Sequence, residues 1–248
     1  MPHLKKLALV TLLTLSQLHA DMIGGEVSLG FFNHDPSGNA SYRSSDASLE
    51  DTFGFTEEQD IFLKAYLEHP FPLLPNVKLG YTTLSHDGSN SVEDFSWGDI
   101  DIPAGSTENI NSSLSLDITD VTLYYEVLDN WVEVDAGLTL RYISGDMGVS
   151  TVGEYDNADF SIWAPLLYGK ARFNVPVTDL SFQLEANAIS YWDMTAYDYE
   201  LSARYTLLMG IGLEAGYKSF HIDSDDLVDG FHADMDFSGP YAAAIWDF

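Results

Sequence analysis

The sequence contains no cysteine. A chain of this size held without disulfides needs another staple, and a continuous ladder of hydrogen-bonded strands qualifies. It is also poor in bases, with 10 Lys and Arg against 39 Asp and Glu and a formal net charge of −29. Such a field repels phosphate backbones, which excludes DNA or RNA as a partner, and it attracts cations loosely. Beyond the N-terminal region no apolar run approaches the ~20 residues of a transmembrane helix. If the rest of the chain enters a membrane it does so as a closed barrel, because only helices and barrels satisfy every backbone group in lipid. Internal repeats, low-complexity tracts and interdomain linkers are absent too, so 248 residues read as one structural unit behind a leader.

The leader is residues 1–20. Lys5 and Lys6 form a basic n-region, Leu7 to Leu15 an apolar core too short to span a bilayer, and Gln17-Leu18-His19-Ala20 ends in the small residue that a signal peptidase requires. Cleavage after Ala20 leaves residues 21–248 as an exported chain. Lys5 and Lys6 are the only charges removed, so 8 bases then face 39 acids, a net charge of −31.

What the exported part does have is alternation with period two, the mark of a strand whose two faces meet different surroundings. From Trp131 to Ser144, Val132, Val134, Ala136, Leu138, Leu140 and Tyr142 fall on one side; Glu133, Asp135, Thr139 and Arg141 fall on the other. Nine more segments behave alike: Ile23–Asn33, Asp60–Glu68, Asn76–His86, Thr119–Leu128, Ile162–Val175, Leu180–Tyr191, Thr195–Leu207, Gly210–Ile222 and Met235–Phe248. Long polar connections (Asn33–Gln59, Asp87–Ile118, Gly145–Phe160, Asp223–Asp234) alternate with short ones around Pro70, Asn130, Pro176 and Met209. Only Trp192-Asp193-Met194 is short where a long loop is due. The pattern predicts an all-β, ten-stranded antiparallel transmembrane β-barrel of outer-membrane type, with acidic loops at one end and both termini at the other.

The bases decide between this barrel and a soluble sandwich. Lys64, Lys78, Arg141, Lys170, Arg172, Arg204 and Lys218 lie opposite the apolar stripe, and only Arg43 falls in a loop. The same faces carry Glu26, Glu68, Glu126, Glu133, Asp135, Glu185, Glu200 and Glu214. A sandwich has no reason to confine its bases to strands. A barrel turned apolar side out toward lipid must pair charges inside, because a buried unpaired ion is expensive. Those fifteen residues, with Tyr66, Tyr124 and Tyr168, are the predicted lumen, mostly occluded at ten strands. Aromatics at strand ends, among them Tyr191, Trp192, Tyr197, Tyr205 and Trp246, suit interfacial girdles.

The chain ends Ala242-Ala243-Ala244-Ile245-Trp246-Asp247-Phe248 and the exported part begins Asp21-Met22-Ile23-Gly24-Gly25-Glu26-Val27. A terminal Phe248, with Trp246 two residues before it, resembles the C-terminal strand signal read by the barrel-assembly machinery. The start resembles a family of Gram-negative outer membrane β-barrel proteins marked by an N-terminal Gly-Gly pair. Thr122-Leu123-Tyr124-Tyr125-Glu126 and Leu167-Tyr168-Gly169-Lys170-Ala171-Arg172-Phe173 echo it further. The resemblance implies an architecture, an outer-membrane location, and contact with outer-membrane lipid and lipopolysaccharide. It implies no reaction.

Candidate chemistry is thin. Similarity in strand number to omptins, which are barrel proteases, directs attention to His86 and Asp87, Asp99 and Asp101, and His232, Asp234 and Asp236 at the rim, where a His beside carboxylates can activate water. Parity with Trp246 and Phe248 points the His232 set away from the lumen. Ser190 and His221 offer a phospholipase-like pair on paper, better explained by ordinary usage. Asp223 to Gly230 begins like a calcium loop, but Leu227 stands where an oxygen ligand is needed and no closing Glu follows. No metal site is expected beyond loose Ca²⁺ or Mg²⁺ at acidic loops. Gly24-Gly25 precedes no helix and reads as a packing seam, not a phosphate cradle. The sequence thus favours a non-catalytic barrel with an occluded, charge-paired lumen, in a structural or surface-contact role, over a narrow cation-preferring pore and, third, an omptin-like rim hydrolase.

Overall fold

The computed structural model describes residues 24–71, 73–191, 194–228 and 230–248. The predicted leader and Trp192-Asp193 of the short turn lie outside them. Among the described residues there is no helix, and eleven strands form one antiparallel sheet: β1 (Gly24–Tyr42), β2 (Ala47–Ser48), β3 (Glu58–Glu68), β4 (Asn76–Trp97), β5 (Ile100–Asp129), β6 (Val132–Ser150), β7 (Tyr155–Asn174), β8 (Leu180–Tyr191), β9 (Met194–Thr206), β10 (Ile211–Val228) and β11 (Phe231–Asp247). β2 aside, each strand pairs with the next in sequence and β11 returns to β1, from Glu26↔Asp247 to Tyr42↔Phe231. Ten strands close the ring. The two-residue β2 pairs only with Asn39 and Ala40 of β1, beyond the end of β3.

Closure needs small residues at the seam. A Cβ on Gly25 would meet the Phe248 ring at 2.7 Å and the Tyr66 carbonyl at 2.8 Å, while Gly25 and Phe248 exchange both backbone hydrogen bonds at 3.0 and 2.9 Å. The terminal Phe248 ring remains half exposed and leans on Trp246 at 5.0 Å.

Sidedness follows the alternation. Leu138 is 61% exposed and Leu184 48%, whereas Arg141 is 3% exposed and Lys218 8%. On β9 the outward residues run from Tyr197 to Tyr205. At about 3.3 Å per residue and the usual tilt of such barrels they cover roughly 20 Å of height, close to the ~25 Å apolar band of outer-membrane barrels. Tyr81, Trp163, Tyr197 and Tyr217 rim this band toward the long hairpins; Tyr125, Trp131, Phe182 and Tyr205 rim it toward the short turns.

One expectation needs correction. The long polar stretches are not loose loops: β4 and β5 run on as a hairpin through 87–118, β6 and β7 through most of 145–160, and β10 and β11 through most of 223–234. β5 is 30 residues long, about three times what a crossing needs. From Ile110 to Tyr125 its alternation is unbroken, but its polarity inverts. Near the turns Val121, Leu123 and Tyr125 point out, and Asp120, Thr122 and Tyr124 point in. Past Thr119, Ile110, Leu114, Leu116 and Ile118 point in, and Ser113, Ser115 and Asp117 point out. An outward face that leaves lipid for water no longer needs to be apolar, and the inward face then supplies the core. A reading that seeks an apolar outward stripe stops at this inversion.

Candidate functional site: the closed lumen

Inside the lipid-facing segment, the strand register places charged residues in layers. Glu200 on β9 binds Lys64 from β3 and, at 3.1 Å, Lys218 from β10, two cations on one carboxylate. Glu185 binds Lys78 and accepts a hydrogen bond from Tyr66 at 2.7 Å. Lys170 meets Asp135 across β6–β7 at 2.6 Å. Arg204 reaches Glu26 at 2.6 Å and Glu214 at 3.2 Å, and Tyr241 donates to Glu214. Arg172 spans Glu26 at 3.1 Å and Glu133 at 3.5 Å. Gln183 accepts from both Arg172 and Arg204, at 2.8 and 3.1 Å. Tyr66, Tyr124 and Tyr168 pack together at the centre with the ammonium groups of Lys78 and Lys170 over their rings at 5.1–5.7 Å. Desolvated ammonium groups gain most from such contacts.

Fourteen of the fifteen predicted lumen residues take part in this interior or its lower mouth, where Glu68 accepts from Tyr124 at 3.1 Å. Glu126 is the correction. It keeps the inward register opposite Asp135, but at the turn end it is exposed and accepts from the Asn76 amide at 3.1 Å instead of joining the ion pairs. Two central acids were missed. Arg141 holds Asp120 with two bonds of 2.7 Å and reaches Asp198 at 2.6 Å. Asp198 also accepts from Asn187 at 3.0 Å, which accepts from Thr139 at 2.7 Å. Parity alone would have found both: Asp198 shares the even face of Glu200 and Arg204, and Asp120 that of Tyr124. With them, six buried bases and the half-buried Arg172 face seven well-buried carboxylates, Glu26, Asp120, Asp135, Glu185, Asp198, Glu200 and Glu214, with Glu133 and Glu68 added at the lower mouth. The space left among Lys64, Asp120, Arg141, Glu200 and Lys218 is about 30 Å³, enough for a water or two and not a conduit.

Above the lipid band the interior changes character. The connection from β1 to β3 turns inward as a plug: Leu49 and Phe53 are fully buried and Phe55 nearly so. Phe53 packs edge-on to Trp97 at 5.3 Å and to Phe95 at 5.9 Å, and Trp97 meets Phe231 at 6.0 Å. Close backbone approach fixes the plug to β4. A Cβ on Gly88 would lie 2.3 Å from the Phe53 carbonyl, and Gly54, at φ +75°, would bring one within 2.7 Å of the Ser89 carbonyl. Below the plug sit His34 and His86, rings 4.8 Å apart, with Phe55 and Phe237 against His86. His86 Nδ1 lies 3.0 Å from the Thr56 carbonyl of the plug. Burial, with His34 next to it, pulls the His86 pKa down to about 4. Burial lowers His34 too, although Asp60 at 3.2 Å opposes it.

The remaining candidates do not assemble. His86 is inside the plugged mouth, while His232, Asp234 and Asp236 point away from the lumen. Asp99 and Asp101 sit at the tip of the β4–β5 hairpin, Asp99 donating its backbone N–H to Asp156 at 2.7 Å. Ser190 lies 3.2 Å from Thr195 Oγ1, whereas His221 stacks on Tyr197. Residues 223–228 are strand, with Asp223 opposite Asp234, so no calcium-type loop forms there.

These features define a class: a closed antiparallel transmembrane β-barrel of outer-membrane type. No family model and no curated protein sequence matches the chain. Among solved structures it is similar to the outer membrane protease OmpT from Escherichia coli, with 10% identity over 92% of this chain and 97% of that one and a TM-score of 0.53. Further matches are Ail, the attachment invasion locus protein of Yersinia pestis (8% identity, 90% and 98% covered, TM-score 0.37), and the transport unit of the autotransporter AIDA-I from Escherichia coli (11%, 92% and 89%, 0.38). At such identities the shared property is the barrel fold.

Proposed function

We propose that this protein is an integral barrel of the Gram-negative outer membrane that neither conducts nor catalyses. It holds a tall, rigid, acidic extension above the lipid as a contact surface. The observation carrying this reading is a lumen blocked twice by unrelated means, a buried ion-pair network in the lipid-facing part and an aromatic plug above it. A pore built this way would have to break buried ion pairs at every opening. The outward face of the upper part carries Asp35, Asp87, Asp99, Asp101, Glu108, Asp117 and Asp159, so its environment-facing chemistry is anionic. Its immediate neighbours are outer-membrane lipid and lipopolysaccharide, and its C-terminal Trp246 and Phe248 would be read by the barrel-assembly machinery on the way in.

Planar-bilayer recording together with a peptide-cleavage screen tests the reading. The expected result is electrical silence and no cleavage. Cation-selective steps would replace it with the narrow pore. Cleavage abolished in His232→Ala would replace it with a rim hydrolase.

A further inference from the structure

A second cluster lies on the outer wall at the upper edge of the aromatic girdle, unused by the lumen. His221 on β10 stands directly opposite Asp236 on β11, two register steps from the pair Asp223 and Asp234. Period two then puts His221, Asp234 and Asp236 on one outward patch. One donor atom from each lies within 4.8 Å of the other two. Tyr197, opposite His221 on its other side, stacks on the imidazole at 4.6 Å and 25° and fixes its plane. His221 Nδ1 is thereby shielded from solvent and 3.1 Å from Asp236 Oδ2, yet out of line for a ring N–H hydrogen bond. One ring nitrogen and two carboxylates thus converge on a single outward point. Among the described residues no Lys or Arg forms an ion pair with Asp234 or Asp236.

We propose that His221, Asp234 and Asp236 form a surface site for a divalent first-row transition ion, for which Zn²⁺ is the probe. One imidazole nitrogen with two carboxylate oxygens is an ordinary donor set for such ions, whereas Ca²⁺ and Mg²⁺ prefer oxygen alone. Three protein ligands on an outward wall leave the remaining positions to water or another outside donor. The sequence grouped Asp234 and Asp236 with His232; the fold substitutes His221 from the neighbouring strand, and His232 turns toward Asp225 at 3.5 Å.

Calorimetric titration of the full barrel in detergent micelles at neutral pH tests the site, with Co²⁺ absorption as a second readout. The site predicts one Zn²⁺ equivalent, not displaced by equal Ca²⁺. His221→Ala and Asp236→Asn should each weaken it at least about tenfold, with an unchanged melting temperature. The triple variant Asp117→Asn, Asp146→Asn, Asp159→Asn, which alters a separate acidic patch on the same outer wall, should bind as before. No binding, binding indifferent to His221→Ala, or equal loss in the triple variant would reduce the cluster to an ordinary His–Asp ion pair on an acidic wall and overturn the proposal.

Discussion

The two halves of this barrel use one backbone pattern in opposite senses. Around Leu138 and Leu201 the outer wall is apolar and the interior is Arg141, Glu200 and Lys218; around Ser115 and Asp117 the outer wall is polar and the interior is Leu114, Leu116, Phe53 and Trp97. Strand spacing and pleat do not change between them. What changes is the solvent beyond the wall, and with it which face can tolerate charge. The lower half is therefore a membrane protein and the upper half an ordinary water-facing one, joined within single strands such as β5.

The largest effect should come from stripping the shared carboxylate of the lower interior. Glu200→Ala leaves Lys64 and Lys218 without their partner and should lower stability by about 4 kcal/mol in urea unfolding from vesicles, the range for breaking a buried pair. Replacing the whole Lys64–Glu200–Lys218 group by Met or Leu should restore much of that loss, because an apolar interior of like volume is not inherently worse.

In the upper interior Phe53→Ala should cost about 3 kcal/mol by emptying an aromatic site. There the loss should appear as plug release, read by limited proteolysis within residues 44–57, while the lipid-facing ladder keeps its protection. A charge on the outer wall separates the halves again. Leu138→Arg should cost about 3 kcal/mol near the middle of the lipid band, and Ser115→Arg should stay within about 0.5 kcal/mol, as for a surface change.

Acid should act on the upper half by less than the loss of Phe53. His86 takes its proton in the folded mouth only at about pH 4, whereas an unfolded histidine does so near 6.5. Between those values the released plug binds more protons than the docked one, so docking weakens as pH falls and is fully retained above pH 6.5. At pH 5 the loss is roughly 2 kcal/mol. A nitroxide at Ser45 should gain mobility through this window, and His86→Phe should reduce the change to the share that His34 contributes.

Much of this was legible in the sequence, and the reason is physical. Wherever lipid lay outside, alternation plus the confinement of seven bases to the polar faces was enough to assign both the fold and the inward side of Lys64 or Arg204. The upper half was misread as loops because its outward face is polar and its inward apolar residues, Ile110 or Leu116, look like any strand core once the lipid criterion lapses. The plug was invisible for a different reason. Leu49, Phe53 and Phe55 occupy a turn without periodicity, and their burial depends on Trp97 and Phe231, which lie far away in sequence. Pairing across strands likewise put His221, not His232, beside Asp236.

The inverted wall is tested most directly by where its outer faces lie. The chain has no cysteine, so single cysteines carrying a fluorophore can replace Leu138, Leu201, Ser115 and Asp117 one at a time in vesicle-embedded protein. The account predicts that a lipid-bound quencher extinguishes the first two labels and aqueous iodide the last two. Iodide reaching Leu138 and Leu201 as readily as Ser115 would contradict it.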